Sequence, residues 1–247
     1  MIDYGYCIPN CPICGGLGHI GYDVPFGHPD FGKMYPCPNL FKTYWPKDIG
    51  IEEEEAHYLD LSKLQDTELK RVSRIPVKRI LKDKSGMLYL YGSVGIGKTV
   101  IVKATLLWAV FKLHINPAHY TTHAMMMDKL RSSFGDDYGS SQYDQILDYY
   151  ANIPLLVIDE IGRDKASEFS LASFGKIMDR RYTQGKAGKA ITLLVSNFRP
   201  EDILDSYLVD RIRDATNYVI SLETDSLRKK DLKLERNENW WKELDHE

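Results

Sequence analysis

The chain has 247 residues, enough for one large domain or for a domain with a small appendage. Its 32 Lys+Arg against 35 Asp+Glu give a net charge of −3, which excludes a global basic field for nucleic acid, so any DNA contact must be local. The start MIDYGYC lacks the features of a secretory signal, and the longest apolar run, Leu106 to Phe111, is too short to cross a bilayer, so a cytoplasmic protein without membrane contact is expected.

Residues 1–45 are rich in Cys, Gly, Pro and aromatic side chains and read as a small separate module. Cys7, Cys11, Cys14 and Cys37 hold all the sulfhydryls of the chain. In a reducing compartment this crowding points to metal rather than to disulfides. Four thiolates suffice for a closed tetrahedral Zn²⁺ site, and the CPICGG turn is the kind of knuckle that converges two of them on one ion. So short a segment builds little core, and bound metal would supply its folding energy.

Residues 46–84 read as a helical linker. Glu52 to Glu55 is a charge run suited to a solvated helix start, and helical spacing from Leu59 to Leu81, interrupted by Pro76, predicts two helices.

From residue 85 to 230 the pattern alternates between strand and helix. Met87 to Tyr91 is a short β-type run, and it leads into Gly92-Ser93-Val94-Gly95-Ile96-Gly97-Lys98-Thr99, which fills every fixed position of GxxxxGK[ST]. A helix, Val100 to Leu113, follows. In this context the loop N–H groups and the helix N-terminus, through Val100, point at phosphates. Lys98 would reach the β- and γ-phosphates of a nucleoside triphosphate, and the Thr99 hydroxyl would hold Mg²⁺.

Further strands are predicted at Ala118 to Thr122, Leu155 to Ile158, Ile191 to Val195 and Tyr218 to Ser221. Helices are predicted at Ala124 to Phe134, Tyr143 to Ala151 and Ser170 to Tyr182. Unbroken apolar strands are those covered on both faces of a parallel sheet, and the alternation predicts a three-layer α/β domain. Residues 231–247 form a polar tail, in which Trp240 and Trp241 carry no assigned role.

The run Pro154 to Glu160 is an apolar strand ending in two carboxylates at the sheet edge where ligands of open α/β folds bind. This is a Walker B arrangement: Asp159 would hold Mg²⁺ and Glu160 would polarise the water that attacks the γ-phosphate. Asn197, after the strand Ile191 to Val195, stands where a sensor side chain touches the γ-phosphate or that water. In LVDRIRD, Arg211 and Arg213 are two apart and project differently from a helix, so at most one faces nucleotide, while Asp210 and Asp214 offer surface ion pairs instead.

Taken in order and spacing, GSVGIGKT, LLVIDEIGR, IMDRRY, the SN pair, VDRIR and DSLRK resemble the DnaC-type replicative helicase loaders of the AAA+ superfamily and the related IstB-type transposition ATPases over roughly residues 86–230. The resemblance implies a P-loop AAA+ core without the usual helical lid, assembling side by side with ATP between subunits. It implies Arg211 as a finger acting in trans, Arg228 as a phosphate sensor, and Arg180 and Arg181 at the subunit interface. It places a single-stranded DNA grip on the helix Met125 to Phe134, where Lys129, Arg131 and Phe134 suit backbone attraction and base stacking. The amino-terminal stretch is similar to zinc-binding leaders of some loaders, but Asn39 stands where those carry another cysteine. The fourth zinc ligand is therefore Cys7 or, alternatively, His28, with His19 less suited. The implied partners are a hexameric DnaB-type helicase and single-stranded DNA. Transposition targeting on double-stranded DNA is the second reading, and a small-molecule P-loop kinase a third.

Overall fold

A computed structural model describes residues 11–37, 49–56, 59, 80–83, 85–113, 115–133, 139–163, 167–214 and 217–222. The chain divides into two compact units, Met1–Lys47 and Asp48–Glu247. Among the described residues no helix is long and apolar enough to cross a membrane.

The first unit contains one antiparallel hairpin, β1 (His19–Gly21) with β2 (Met34–Pro36), in which Ile20 faces Tyr35. Among its described residues the buried apolar cluster is Cys11, Cys14 and Cys37 with Ile20 packed against them. Tyr22 packs on Tyr35 and Phe26 on Phe31, yet Phe26 is 90% exposed, so the rings add no second core.

The second unit is built on five parallel strands: β3 (Gly86–Gly92), β4 (Ala118–Thr122), β5 (Leu155–Ile161), β6 (Ile191–Ser196) and β7 (Tyr218–Leu222), in the order β4-β5-β6-β3-β7. The helices between them are α2 (Lys98–Leu113), α3 (His123–Ser132), α4 (Gly139–Asn152), α5 (Glu168–Lys186), α6 (Pro200–Ile203) and α7 (Ser206–Ile212), with the short α1 (Glu53–Ala56) ahead of the sheet. Alternate residues of each strand serve opposite faces. Met87, Tyr89, Leu156, Ile158 and Leu194 join Met126, Leu130, Leu147, Phe174, Ile177 and Leu208 in one core, against α3, α4, α5 and α7. Leu88, Leu90, Val157, Leu193 and Val195 are equally buried with the opposite parity, and α2 packs against β4, β5 and β6. The result is the predicted P-loop α/β architecture of helices on both faces of a parallel sheet.

Helix starts follow from local chemistry. Thr122 accepts the Met125 N–H ahead of α3, Ser167 that of Ser170 ahead of α5, and Asp205 that of Leu208 ahead of α7, satisfying donors that helix ends leave free. Two expectations shift. The strand predicted to stop at Ile158 runs on to Ile161, with a register shift against β6 between Ile158 and Ile161. Glu160 sits inside that irregularity at φ 57, a left-handed conformation costly for a residue with a Cβ. The second difference concerns Arg181, implied at a subunit interface: it is 0% exposed. Its Nε donates to Thr192 Oγ1 (2.7 Å), Nη1 to the carbonyls of Tyr150 and Ile153 (both 2.8 Å), and Nη2 to that of Ile191 (2.6 Å). Burial pulls its pKa down to about 9, still above neutrality, so a charged guanidinium bolts the end of α4 to the start of β6. Arg180 does lie on the surface, paired with Asp148 of α4.

The helices expected between Leu59 and Leu81 fall mostly outside the described residues, as do the tail, Trp240 and Trp241, and everything beyond Leu222 on which a lid would be judged. By contrast Ile49, Ile51 and Ala56 are buried at 1%, 4% and 0% exposure, so the stretch 49–56 packs as part of the second unit. Arg181→Met keeps much of the volume but strips donors from three carbonyls in an apolar setting. It is expected to lower unfolding free energy by about 2–4 kcal/mol in urea denaturation, and an unchanged midpoint would contradict the bolt.

Candidate functional site

The P-loop follows β3 directly. Gly92 has φ 147, and a Cβ there would lie 2.1 Å from the Leu222 carbonyl oxygen and 3.0 Å from Ile96 Cδ1, so only glycine lets the loop leave between β3 and β7. Helix α2 begins at Lys98 and has no acidic residue of its own in its first turn to compete for its positive N-terminal end.

Lys98 is 7% exposed. Its Nζ donates to the carbonyls of Gly92 and Ser93, both at 2.8 Å, and to Asn197 Oδ1 at 2.9 Å. The P-loop lysine and the residue after β6 are therefore in direct contact. Thr99 Oγ1 donates to Asp159 Oδ2 at 2.7 Å, joining the loop to β5. Neighbouring strands in parallel register supply the reason. The pairings of β5 with β6 and β3 with β6 set the ends of these strands at one edge, where β3 turns into the loop.

Asp159 is 2% exposed and accepts three hydrogen bonds. Besides Thr99, the Tyr120 hydroxyl donates to Oδ2 at 3.0 Å and the Glu160 N–H to Oδ1 at 2.7 Å. Burial, and then the Asp159 charge, push the Tyr120 phenol above its ordinary value, so it keeps its proton and remains a donor. Glu160 stands half-exposed at the strand end, and Arg163 Nη1 donates to its Oε1 at 2.6 Å. Ser196 donates to the Ile161 carbonyl (2.7 Å) and accepts the Phe198 N–H (3.0 Å), closing the turn that presents Asn197. A hydroxyl and a carboxylate oxygen 2.7 Å apart are hard donors beside the phosphate loop, a set that suits Mg²⁺.

Arg211 lies in the last turn of α7. Its Nη2 donates to Asp179 Oδ1 of α5 at 2.6 Å and Nε to the same atom at 3.0 Å; its guanidinium stacks 3.6 Å over the Tyr207 ring, whose hydroxyl it also meets. Asp179 is held below the ordinary carboxylate range, first by the Arg211 hydrogen bond and then by that of Tyr207. Arg213 pairs with Glu201. The surface pairing weighed for the two arginines thus goes to Asp179 and Glu201, not to Asp210 or Asp214. Arg228 lies outside the described residues.

On α3, Met126, Met127 and Leu130 are buried, while Lys129 and Arg131 are exposed. Lys129 Nζ lies 5.8 Å from the Tyr149 ring centre and 5.9 Å from that of Tyr150. Arg131 donates to Asp128 at 3.2 Å and lies 5.7 Å from the Phe169 ring. Two exposed cations therefore lie beside the part-buried rings of Tyr149 and Phe169, while Tyr150 is buried; the helix carrying both tyrosines was expected, but not their place beside Lys129. Phe134 lies outside the described residues.

In the first unit the sulfur atoms of Cys11, Cys14 and Cys37 all lie within 4.8 Å of one another, buried. Cys11 and Cys37 are 3.7 Å apart, close to the edge of about 3.8 Å in a tetrahedron of 2.3 Å zinc–sulfur bonds. The thiolates converge because Gly15 N–H donates to the Cys11 carbonyl, Leu17 N–H to that of Cys14, and Cys37 N–H to Gly18, closing the knuckle on the hairpin. Burial raises the Cys14 thiol, but the N–H groups of Gly18 and Gly16 and the Cys37 thiol outweigh it and hold Cys14 below its ordinary value. The donor set fits Zn²⁺ with one position still to be supplied. His28 is not in the cluster: it is exposed and its Nδ1 accepts the Asp30 N–H at 3.2 Å. Cys7 lies outside the described residues.

Sequence reading missed Tyr120, Arg163, Asp179 and Tyr207. Tyr120 is opposite Val157 in the β4–β5 register, one alternate position before the pair Thr122 and Asp159. Strand alternation alone would have placed it on the Asp159 face once that pairing was known.

Over 142 residues the chain is 27% identical to the replicative helicase loader DnaC of Buchnera aphidicola subsp. Baizongia pistaciae (strain Bp), covering 56% of this chain and 55% of that protein. The chain thus spans about half the length of the curated relative it matches. Its fold is similar to the crystal structure of the DnaI protein, with TM-score 0.55, 22% identity and coverage of 71% of this chain and 97% of that one. It is also similar to the crystal structure of the DnaC helicase loader, with TM-score 0.55, 19% identity and coverage of 67% and 96%. The model of the IstB-like ATP binding protein family matches residues 54–235, more than half of the chain and the whole P-loop site, and the chain belongs to that family.

Proposed function

We propose that this protein is an ATP-dependent helicase loader, in which ATP binding and hydrolysis switch a complex with a replicative helicase and single-stranded DNA. The ATPase part rests on one observation: Lys98 touches Asn197 and Thr99 touches Asp159, so loop, carboxylate strand and sensor strand meet at one sheet edge. The loader part is supported by the cysteine cluster, since zinc-binding leaders accompany some loaders while transposition relatives carry helical ones, and by the likeness to a DnaC protein.

In this reading the loop N–H groups and Lys98 bind the β- and γ-phosphates. Mg²⁺, held by Thr99 and Asp159, would neutralise phosphate charge. Glu160 orients and deprotonates the attacking water, once Arg163 yields its Oε1, and Asn197 aligns that water from the opposite side. Arg211 is presented to the site of a neighbouring copy, exchanging the Asp179 carboxylate for developing phosphoryl charge while the Tyr207 ring keeps the guanidinium aligned. Lys129 and Arg131 contact single-stranded DNA locally. Cys11, Cys14 and Cys37, with Cys7, hold Zn²⁺ in a module, residues 1–45, that docks on the helicase.

Glu160→Gln is expected to bind ATP as the native protein does and to lose turnover by about a hundredfold or more. Undiminished turnover would remove that assignment. Arg211→Ala is expected to lose about a thousandfold, and mixing it with Lys98→Ala to recover part of the activity; no recovery means the finger does not act in trans. Metal analysis of freshly purified protein is expected to find about one zinc per chain, absent in Cys37→Ser. Co-purification with ATP is expected to retain a hexameric replicative helicase, whereas retention of a transposase alone selects the transposition reading.

A further inference from the structure

A line of contacts runs from Asp159 to residues that the ATPase chemistry does not use. Thr99 and Lys103 are four apart on α2 and so share a face. Thr99 reaches Asp159. Lys103, 9% exposed, places its Nζ 4.3 Å from the centre of the Tyr120 ring and 2.5 Å from Glu55 Oε1. The Tyr120 hydroxyl in turn is on Asp159 Oδ2. A second contact joins the same two segments: Gly50, at φ +74, lies so close to β4 that a Cβ would be 2.0 Å from the Tyr120 carbonyl oxygen. Glu55 and Gly50 belong to the first stretch of the second unit, through which the chain arrives from the cysteine-bearing one.

We infer that Glu55, Lys103 and Tyr120 couple the seating of residues 49–56 to divalent-cation binding at Asp159, with Tyr120 as a positioning residue for that carboxylate. The inference rests on the reading of Asp159 as a magnesium ligand. Its sign follows from charge. With the segment seated, Glu55 neutralises Lys103 and leaves Asp159 to Thr99, Tyr120 and the cation. With Glu55 withdrawn, a nearly buried ammonium has lost its carboxylate, and Asp159 lies just beyond the tyrosine ring that Lys103 already touches. An uncompensated positive charge there opposes a second cation. Because coupling is reciprocal, cation binding also strengthens seating of the segment.

The test is Mn²⁺ affinity of the full chain saturated with a non-hydrolysable ATP analogue, read from the free Mn²⁺ resonance by electron paramagnetic resonance. Glu55→Gln is expected to weaken Mn²⁺ by about fivefold or more, and Lys103→Met in that background to restore it. Tyr120→Phe is expected to weaken it about tenfold, with cation-free nucleotide binding retained as the sign of an intact fold. Unchanged affinity in Glu55→Gln overturns the coupling, as does weakening that Lys103→Met fails to restore, which would mark Glu55 as merely structural. Unchanged affinity in Tyr120→Phe removes its positioning role. Asp159→Asn separates this inference from its premise: if that variant binds Mn²⁺ normally, the ligand assignment itself is wrong.

Discussion

The Asp159 carboxylate, nearly sealed from solvent, accepts hydrogen bonds from three separate segments: Thr99 at the start of α2, Tyr120 on β4, and the N–H of its own neighbour Glu160. A buried carboxylate is costly unless its lone pairs are filled. Each donor therefore restrains the element that carries it, and together they hold the phosphate loop, the edge strand and the tip of β5 in one geometry. Remove the carboxylate and the loop loses its tie to β5, leaving the Lys98 contact with Asn197 beyond β6. The left-handed backbone at Glu160 belongs to the same arrangement. It follows from the register shift that lets Asp159 face α2 while Ile161 returns to the core on the other side.

The opposite end of the sheet depends on a different charge. Among the described residues Arg181 has no carboxylate partner and is solvated by three carbonyls and one hydroxyl. Such a group is tolerated because four of its five N–H donors are aimed at fixed dipoles, which also makes it intolerant of movement. It clamps α4, α5 and β6 where the strand begins, while the ligand-binding edge is where they end. Rigidity is thus built in below the site, and the more exposed pair Arg163 with Glu160 sits where exchange of partners costs little, whereas Arg211 with Asp179 is part-buried and stacked on Tyr207.

The cysteine module follows another logic. Among its described residues the apolar interior is three thiols and one isoleucine, little to hold a segment together by burial alone. The three sulfurs converge at the spacing of a metal tetrahedron, an arrangement suited to a fold that a bound ion helps to hold.

Much of the fold and part of the site were legible in the residues themselves. The unbroken apolar strands announced a sheet covered on both faces, and the glycine loop before a helix announced phosphate binding, because both depend on local periodicity and backbone freedom. The spacing of Cys11 and Cys14 was enough to expect metal, since a knuckle is a local turn. Tertiary structure alone decided what depends on pairing between distant segments. Tyr120 meets Asp159 only because β4 lies beside β5 in a given register. Lys103 meets Glu55 because 49–56 folds onto α2. Arg181 is inside and Arg180 outside because of how α5 rotates against the sheet, and two adjacent arginines carry no sign of that difference. A sequence encodes which contacts are available to each residue. Only the folded chain, by bringing buried charges within reach of a few fixed dipoles, selects among them.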